Sequence, residues 1–451
     1  MGFKTKLLIV AMASAMPLVS VHAQTQAELQ KEIATLRAQL QALQQKVEAI
    51  ATKPDASAAN TAVAQQVNRL EQRLDLADDG AETTGFKGMK INATVEVGYG
   101  FDSQIKNNTF YAGSGSTTDD RAYAGHGMVQ FTKETQGEGV DWTLRLLPGA
   151  DATSLVHEAS ISLPLGEDAR LIGGVMPDFQ GYEFAFANAN STLGSQLISH
   201  NALYDLAGAA QYTGLGTSHS FDGGTYTAKW VVGNVDAAND TSSDINTGQS
   251  HYNGTKDRSV ALAYRGDWFI SEFAYVGLSG LHGSVNRNFR VMALDGGYTR
   301  GDWQFNGQLT SGWMRNAASN GNDAEWIGLS GLVGYKVTPR LQLLARADYL
   351  ENSKNGGGTY VSAQPDGTAA LDTAANGLGP VRSSDGTTVD DANIGANLTR
   401  LTLGTNYQIN ANAQWKTEYR VDTSTGYNFL DQNGVATRQR TRIGTAFVLS
   451  F

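Results

Sequence analysis

The chain has no cysteine among its 451 residues, which excludes disulfides and thiolate metal sites. Proline is scarce, with 8 residues against 51 glycines. Beyond one run near the amino terminus, no stretch approaches the ~20 consecutive apolar residues that a spanning helix requires. A formal net charge of −10 argues against nucleic acid as a partner. No glycine-rich phosphate cradle occurs between a strand and a helix, so the glycines reflect turns and sheet curvature.

What the chain does contain begins with a three-part leader. Lys4 and Lys6 precede an apolar run from Leu7 to Val21, and Val21-His22-Ala23 offers a small-residue cleavage site before Gln24. That layout predicts a signal peptide over residues 1–23. For an exported chain without spanning helices, a membrane location requires a closed barrel, the other structure that satisfies every backbone polar group in lipid. A mean hydropathy of −0.29 is compatible, because only half of each barrel strand is apolar.

Residues 24–84 read as a helical segment followed by a polar linker. Leu29, Ile33, Leu36, Leu40, Leu43, Val47 and Ile50 recur with 4,3 spacing, a heptad seam flanked by Gln, Glu, Lys and Arg. Glu32 and Arg37 would pair between parallel chains in register. The narrow seam predicts a periplasmic parallel coiled coil. The other reading is a single amphipathic helix packed on its own barrel, and the mixed seam does not distinguish two strands from three. Lys53-Pro54-Asp55 breaks the helix.

From about Gly85 the period changes to two. The last stretch, Thr437 to Phe451, places Thr441, Ile443, Thr445, Phe447, Leu449 and Phe451 on one face, with Arg438, Arg440, Arg442, Gly444, Ala446 and Ser450 on the other. Similar alternation runs through Ile91 to Phe101, Leu155 to Leu163, Leu341 to Tyr349 and Leu401 to Ile409. The prediction is an all-β transmembrane barrel of about 16 antiparallel strands over residues 85–451, preceded by the α-helical coiled coil. Gly166-Glu167-Asp168, Gly266-Asp267, Gly301-Asp302, Thr338-Pro339 and Asn410-Ala411-Asn412 read as tight turns. Long Gly/Ser/Asn/Asp segments at 102–120, 177–206, 236–256, 315–323, 351–396 and 424–436 read as outer loops. Sixteen strands return both ends to the periplasm.

With the outward face assigned, the polar face of the strands carries Arg145, Lys229, Arg346, Arg400, Lys416, Arg420, Arg438, Arg440 and Arg442, interrupted by Glu418 and Asp422. Folding about the 410–412 turn sets Arg400 opposite Asp422. This basic wall has two readings, a charge filter or a solvated interior with paired arginines. The segment 177–206, between the fifth and sixth strands, holds Asp178, Tyr182, Glu183, His200, Asn201, Tyr204 and Asp205. Its aromatic content points to burial inside the barrel, although an outer lid is the alternative.

The alternation, the loop asymmetry and the aromatic terminus together resemble Gram-negative outer-membrane porins. The likeness is to uncharacterised proteobacterial porins with a periplasmic coiled coil, and more distantly to phosphate- and sugar-selective porins. The resemblance implies a homotrimer in outer-membrane lipid that admits small polar solutes, with 177–206 as the constriction loop. It also implies that the terminal Phe is read by the insertion machinery. Interleaved carboxylates depart from the dense basic ladder of phosphate-selective channels. The alternative function is a non-conducting barrel for surface binding, or for tethering to peptidoglycan.

Catalysis and metal binding find little support. His157 reads as an outward residue without a serine on the same face, and His200 with Asn201 has no nucleophile partner. The 7 histidines are scattered, and Asp119-Asp120 and Asp390-Asp391 read as solvated loop charge rather than calcium ligands. No enzyme, metal or cofactor is expected.

Overall fold

The computed structural model describes residues 88–104, 109–112, 127–134, 139–146, 156–183, 196–207, 211–236, 260–285, 287–359 and 376–451. The leader and the heptad seam from Leu29 to Ile50 lie outside the described residues.

Sixteen strands form the barrel. They are β1 (Met89–Asp102), β2 (Gly127–Lys133), β3 (Asp141–Leu146), β4 (Val156–Pro164), β5 (Ala169–Pro177) and β6 (Gln211–Phe221). Then come β7 (Tyr226–Asp236), β8 (Val260–Ser271), β9 (Ala274–Val285), β10 (Arg287–Arg300) and β11 (Trp303–Met314). The series ends with β12 (Ala324–Thr338), β13 (Leu341–Glu351), β14 (Leu398–Asn410), β15 (Ala413–Ser424) and β16 (Gln439–Ser450). From β2 onward each strand pairs antiparallel with the next, in registers such as Ala345↔Leu403 and Leu401↔Val421. The sheet closes where β16 meets β1, from Thr94↔Ser450 to Asp102↔Arg442. Closure leaves no open edge in lipid.

Dyad patterning explains the two faces. Leu401 and Leu403 on β14 are 55% and 60% exposed, whereas Arg400 and Thr402, which alternate with them, are 3% and 1% exposed. Apolar side chains on the exposed face suit contact with acyl chains. Aromatics gather at the short-turn end of this face: Trp303 lies 4.6 Å from Tyr335 and 5.6 Å from Phe305 between ring centroids, and Trp415 lies 6.0 Å from Phe447. Amphipathic rings concentrate at a membrane–water interface.

Short connections at 165–168, 222–225, 301–302, 339–340 and 411–412 mark one end, and long ones at 178–210, 237–259, 315–323, 352–397 and 425–438 mark the other. Two sequence expectations are corrected. Gly266-Asp267 is not a turn, because both residues continue β8 and the reversal falls at Glu272-Phe273. β6 ends in a 3-10 turn at Asp222–Gly224. His157 does not lie in a regular outward row. Arg145 faces Glu158 while Leu146 faces Val156, so His157 is the extra residue of a bulge.

The buried core sits on the concave side rather than between two layers. Val231, Ala263, Leu281, Val291, Trp326, Leu350 and Leu398 turn inward and form one cluster with Ala202, Leu203 and Leu206 of the helix α1 (Ala202–Ala207). That helix belongs to the β5–β6 connection.

Candidate functional site

The β5–β6 connection meets the wall residue by residue. Asn406 Nδ2 on β14 donates to the Gln196 carbonyl at 2.8 Å. Leu197 packs with Leu332, Leu344 and Tyr182. Ile198 packs on Ala446 of β16. Ser199 gives its N–H and its hydroxyl to the two carboxylate oxygens of Glu418, at 2.8 and 2.6 Å. The carbonyls of Ser199 and His200 accept from Arg346 at 2.8 and 2.5 Å, and Arg400 Nη1 reaches the His200 carbonyl at 3.1 Å.

Asn201 then starts α1. Its Oδ1 accepts the Tyr204 N–H at 2.7 Å, the N-cap arrangement for a short polar side chain. Its own N–H donates to Glu183 Oε2 at 2.6 Å, and the next N–H, that of Ala202, donates to Asp348 at 3.0 Å. The Tyr204 ring lies against His200, with centroids 4.4 Å apart and planes tilted by 32°, and Asp205 accepts from Arg400 Nη1 at 2.6 Å. Buried backbone donors and acceptors need partners, and the polar wall supplies them.

The first half of the connection is anchored similarly. Tyr182 Oη meets Ser330 Oγ at 2.7 Å, and Ser330 donates to Asp348 at 2.7 Å. Glu183 Oε1 accepts from Arg346 Nη1 at 2.8 Å. Burial pushes the Glu183 carboxyl up to about 7, against the opposing pull of Arg346 and the Asn201 N–H. Asp178 is likewise raised to about 7 by burial, while it accepts from Tyr212 and from the Gln180 N–H. Arg265 clamps the Phe179 carbonyl at 2.9 Å while forking onto Asp295 at 2.9 Å through each of Nη1 and Nη2.

Along β15, Lys416, Glu418, Arg420 and Asp422 alternate on the buried face. Arg400 donates from Nε to Asp422 at 2.9 Å, and Arg420 forks onto the same carboxylate. Arg440 and Arg442 share Asp102 across the β16–β1 closure, at 2.5 and 2.6 Å. Arg145 pairs with Glu158 at 3.1 Å. Lys229 places its ammonium 4.3 Å above the Phe179 ring.

Arg438 departs from expectation. It lies before β16 begins, is exposed, and its guanidinium stands 4.6 Å from the Tyr427 ring centroid. The dyad pattern does not extend into the turn-bearing segment before Gln439, so side-chain parity there carries no information about facing.

Sequence reasoning missed Asp348, Asp102 and the Arg265–Asp267–Asp295 set. Asp348 was visible two residues beyond Arg346 on the same face. The set around Arg265 was hidden by placing a turn at Gly266. The inward apolar positions on β7–β14 carried no signal, because one side of a strand can be apolar toward lipid and the other apolar toward a packed segment.

A closed antiparallel barrel with an apolar exposed face and an aromatic girdle defines an outer-membrane β-barrel protein. The family described as "Putative beta-barrel porin-2, OmpL-like" matches residues 88–451, and the chain belongs to this porin family. It is an outer-membrane barrel of a Gram-negative bacterium. Similar solved structures include the anion-selective porin from Comamonas acidovorans, at 10% identity and TM-score 0.49, covering 80% of this chain and 99% of that one. The outer membrane channel DcaP of Acinetobacter baumannii is similar at 11% identity and TM-score 0.49, covering 80% and 97%. The trimer form of Vibrio cholerae OmpT has 11% identity and TM-score 0.49, covering 80% and 99%. No curated protein matches the chain.

Proposed function

We propose that this protein is a porin for passive diffusion of small hydrophilic solutes or ions, through a water-filled, arginine-lined lumen narrowed by segment 177–206. The docking of Gln196–Asp205 onto Arg346, Arg400 and Glu418 carries the reading. It places acidic loop groups, Glu183 and Asp205, against basic groups of the wall. Held against the wall, the segment narrows the lumen, and a narrow polar passage sorts solutes. Arg145, Arg346, Arg400, Lys416, Arg420, Arg440 and Arg442 belong to the wall, with Glu418 and Asp422. Tyr182, His200, Asn201 and Tyr204 hold the loop. Single-channel recording of purified protein in a planar bilayer tests the reading, and stepwise openings are the expected result.

The second reading is a non-conducting barrel for surface binding or envelope tethering. The apolar packing of Leu203 and Leu206 among Trp326 and Leu350 favours it, since it resembles a stopper. A folded barrel that stays silent in the bilayer would select this reading.

Residues 24–84 are proposed to assemble a parallel coiled coil in the periplasm that supports a homotrimer. Deleting them should weaken oligomers without abolishing insertion. Trimers unchanged on native gels would remove the coiled coil from that role.

A further inference from the structure

The wall arginines divide into two groups by solvent access. Arg346, Arg400, Arg420, Arg440 and Arg442 have side chains 0%, 3%, 1%, 4% and 3% exposed. On the same concave face, Arg145 and its partner Glu158 are 22% and 14% exposed, and Arg170 with Asp141 is 27% and 27% exposed. Arg145 lies directly across the β3–β4 ladder from Glu158, and its Nε donates to Gln130 on β2 at 3.1 Å. Arg170 on β5 reaches Asp141 on β3 at 2.7 Å and donates to Ser162 Oγ on β4 at 2.6 Å. Thr143, Ser160 and Ser162, on the same face, are half-buried rather than sealed.

We propose that solutes pass along the concave face of β3–β5, and that ion selectivity is set there by Arg145–Glu158 and Arg170–Asp141 rather than by the arginines of β13–β16. The inference rests on the porin reading and locates its conducting sector. The sealed arginines face carboxylates and loop carbonyls at contact distance, so a passing ion meets their charge already compensated. The two accessible pairs sit four residues apart along β3, about 13 Å at strand rise. Each presents one charge of either sign to the passage. Balanced pairs give a pore of weak selectivity, and removing one member of each unmasks the other.

The experiment measures permeability ratios across a salt gradient for the full chain and two double variants. A unit charge about 7 Å from an ion in water alters its energy by about one RT, so changes of about threefold or more are expected. Arg145→Gln with Arg170→Gln should shift the ratio toward cations, and Asp141→Asn with Glu158→Gln toward anions. Open channels with unchanged ratios in both variants would overturn the proposal.

A second measurement works even without conductance, because the native chain has no cysteine. Thr143→Cys and Ser160→Cys in folded barrels should react with a charged, membrane-impermeant thiol reagent. Thr402→Cys, at a site 1% exposed, should stay unmodified. Protection of Thr143→Cys and Ser160→Cys overturns the sector assignment. Labelling at those positions in a silent barrel would retain water access along β3–β5 while removing the porin reading.

Discussion

Leu203 of α1 fills the space that a side chain on Gly328 of β12 would occupy. A Cβ at Gly328 would stand 2.0 Å from Leu203 Cδ2. Leu197 bears the same relation to Gly404 of β14, at 2.3 Å. The two glycines are notches in the wall, and the infolded segment is seated by them as well as by hydrogen bonds.

Gly328→Val should therefore unseat α1. Overpacking of this kind costs about 1–3 kcal/mol. Thermal unfolding of the refolded barrel reads the loss, and adding Leu203→Ala should restore most of it. Equal losses in the single and double variants would show that Leu203 is not the obstacle.

The β16–β1 closure depends on Asp102, which lies between Arg440 and Arg442. Asp102→Asn removes the carboxylate that both buried guanidiniums contact. Removing one partner of a buried pair costs about 3–5 kcal/mol. The temperature at which the folded band converts to the unfolded one on detergent gels should fall, with Asp102→Glu falling less.

Docking of Pro177–Glu183 should weaken as pH rises. The docked Asp178 carboxyl is raised to about 7 from an ordinary 3.8, so the docked segment holds a proton that the released one does not. Between these values each rise in pH favours release, and the dependence is spent above about 7. Amide exchange in 177–183, corrected for intrinsic rates, should be slower at low pH than above neutrality. Asp178→Asn should reduce the dependence, and Asp178→Asn with Glu183→Gln should flatten it, because the Glu183 carboxyl is raised to about 7 as well.

Phe451 exchanges two backbone bonds with Ala93, at 2.8 and 3.1 Å, and the residue is 68% exposed. Its deletion should lower the fraction assembled in the outer membrane, measured by fractionation and heat modifiability. Phe451→Trp keeps the backbone bonds and an aromatic ring, and should retain most of the assembly.

Much of this was legible in the primary structure because strand parity is strictly local. Ile443, Phe447 and Leu449 face outward as alternation requires, and Arg440, Arg442 and Ala446 face inward. The short turn at 410–412 sets the β14–β15 register, so Arg400 opposite Asp422 follows by counting. Parity failed wherever the backbone left regular pairing: at Arg438 before β16, at the His157 bulge, and at Gly266-Asp267, whose turn-like composition continues a strand.

From the amino-acid order alone came the barrel, its lipid face, the approximate strand number and the aromatic loop between the fifth and sixth strands, because each depends on spacing along the chain. Tertiary structure decided which wall receives that loop, which arginines are sealed beneath it and which remain in contact with water. Those outcomes arise from groups 100 to 350 residues apart, such as Arg346 with Glu183 or Arg440 with Asp102, separated by 163 and 338 residues. Burial and charge compensation exist only once the cylinder has closed and the loop has folded into it.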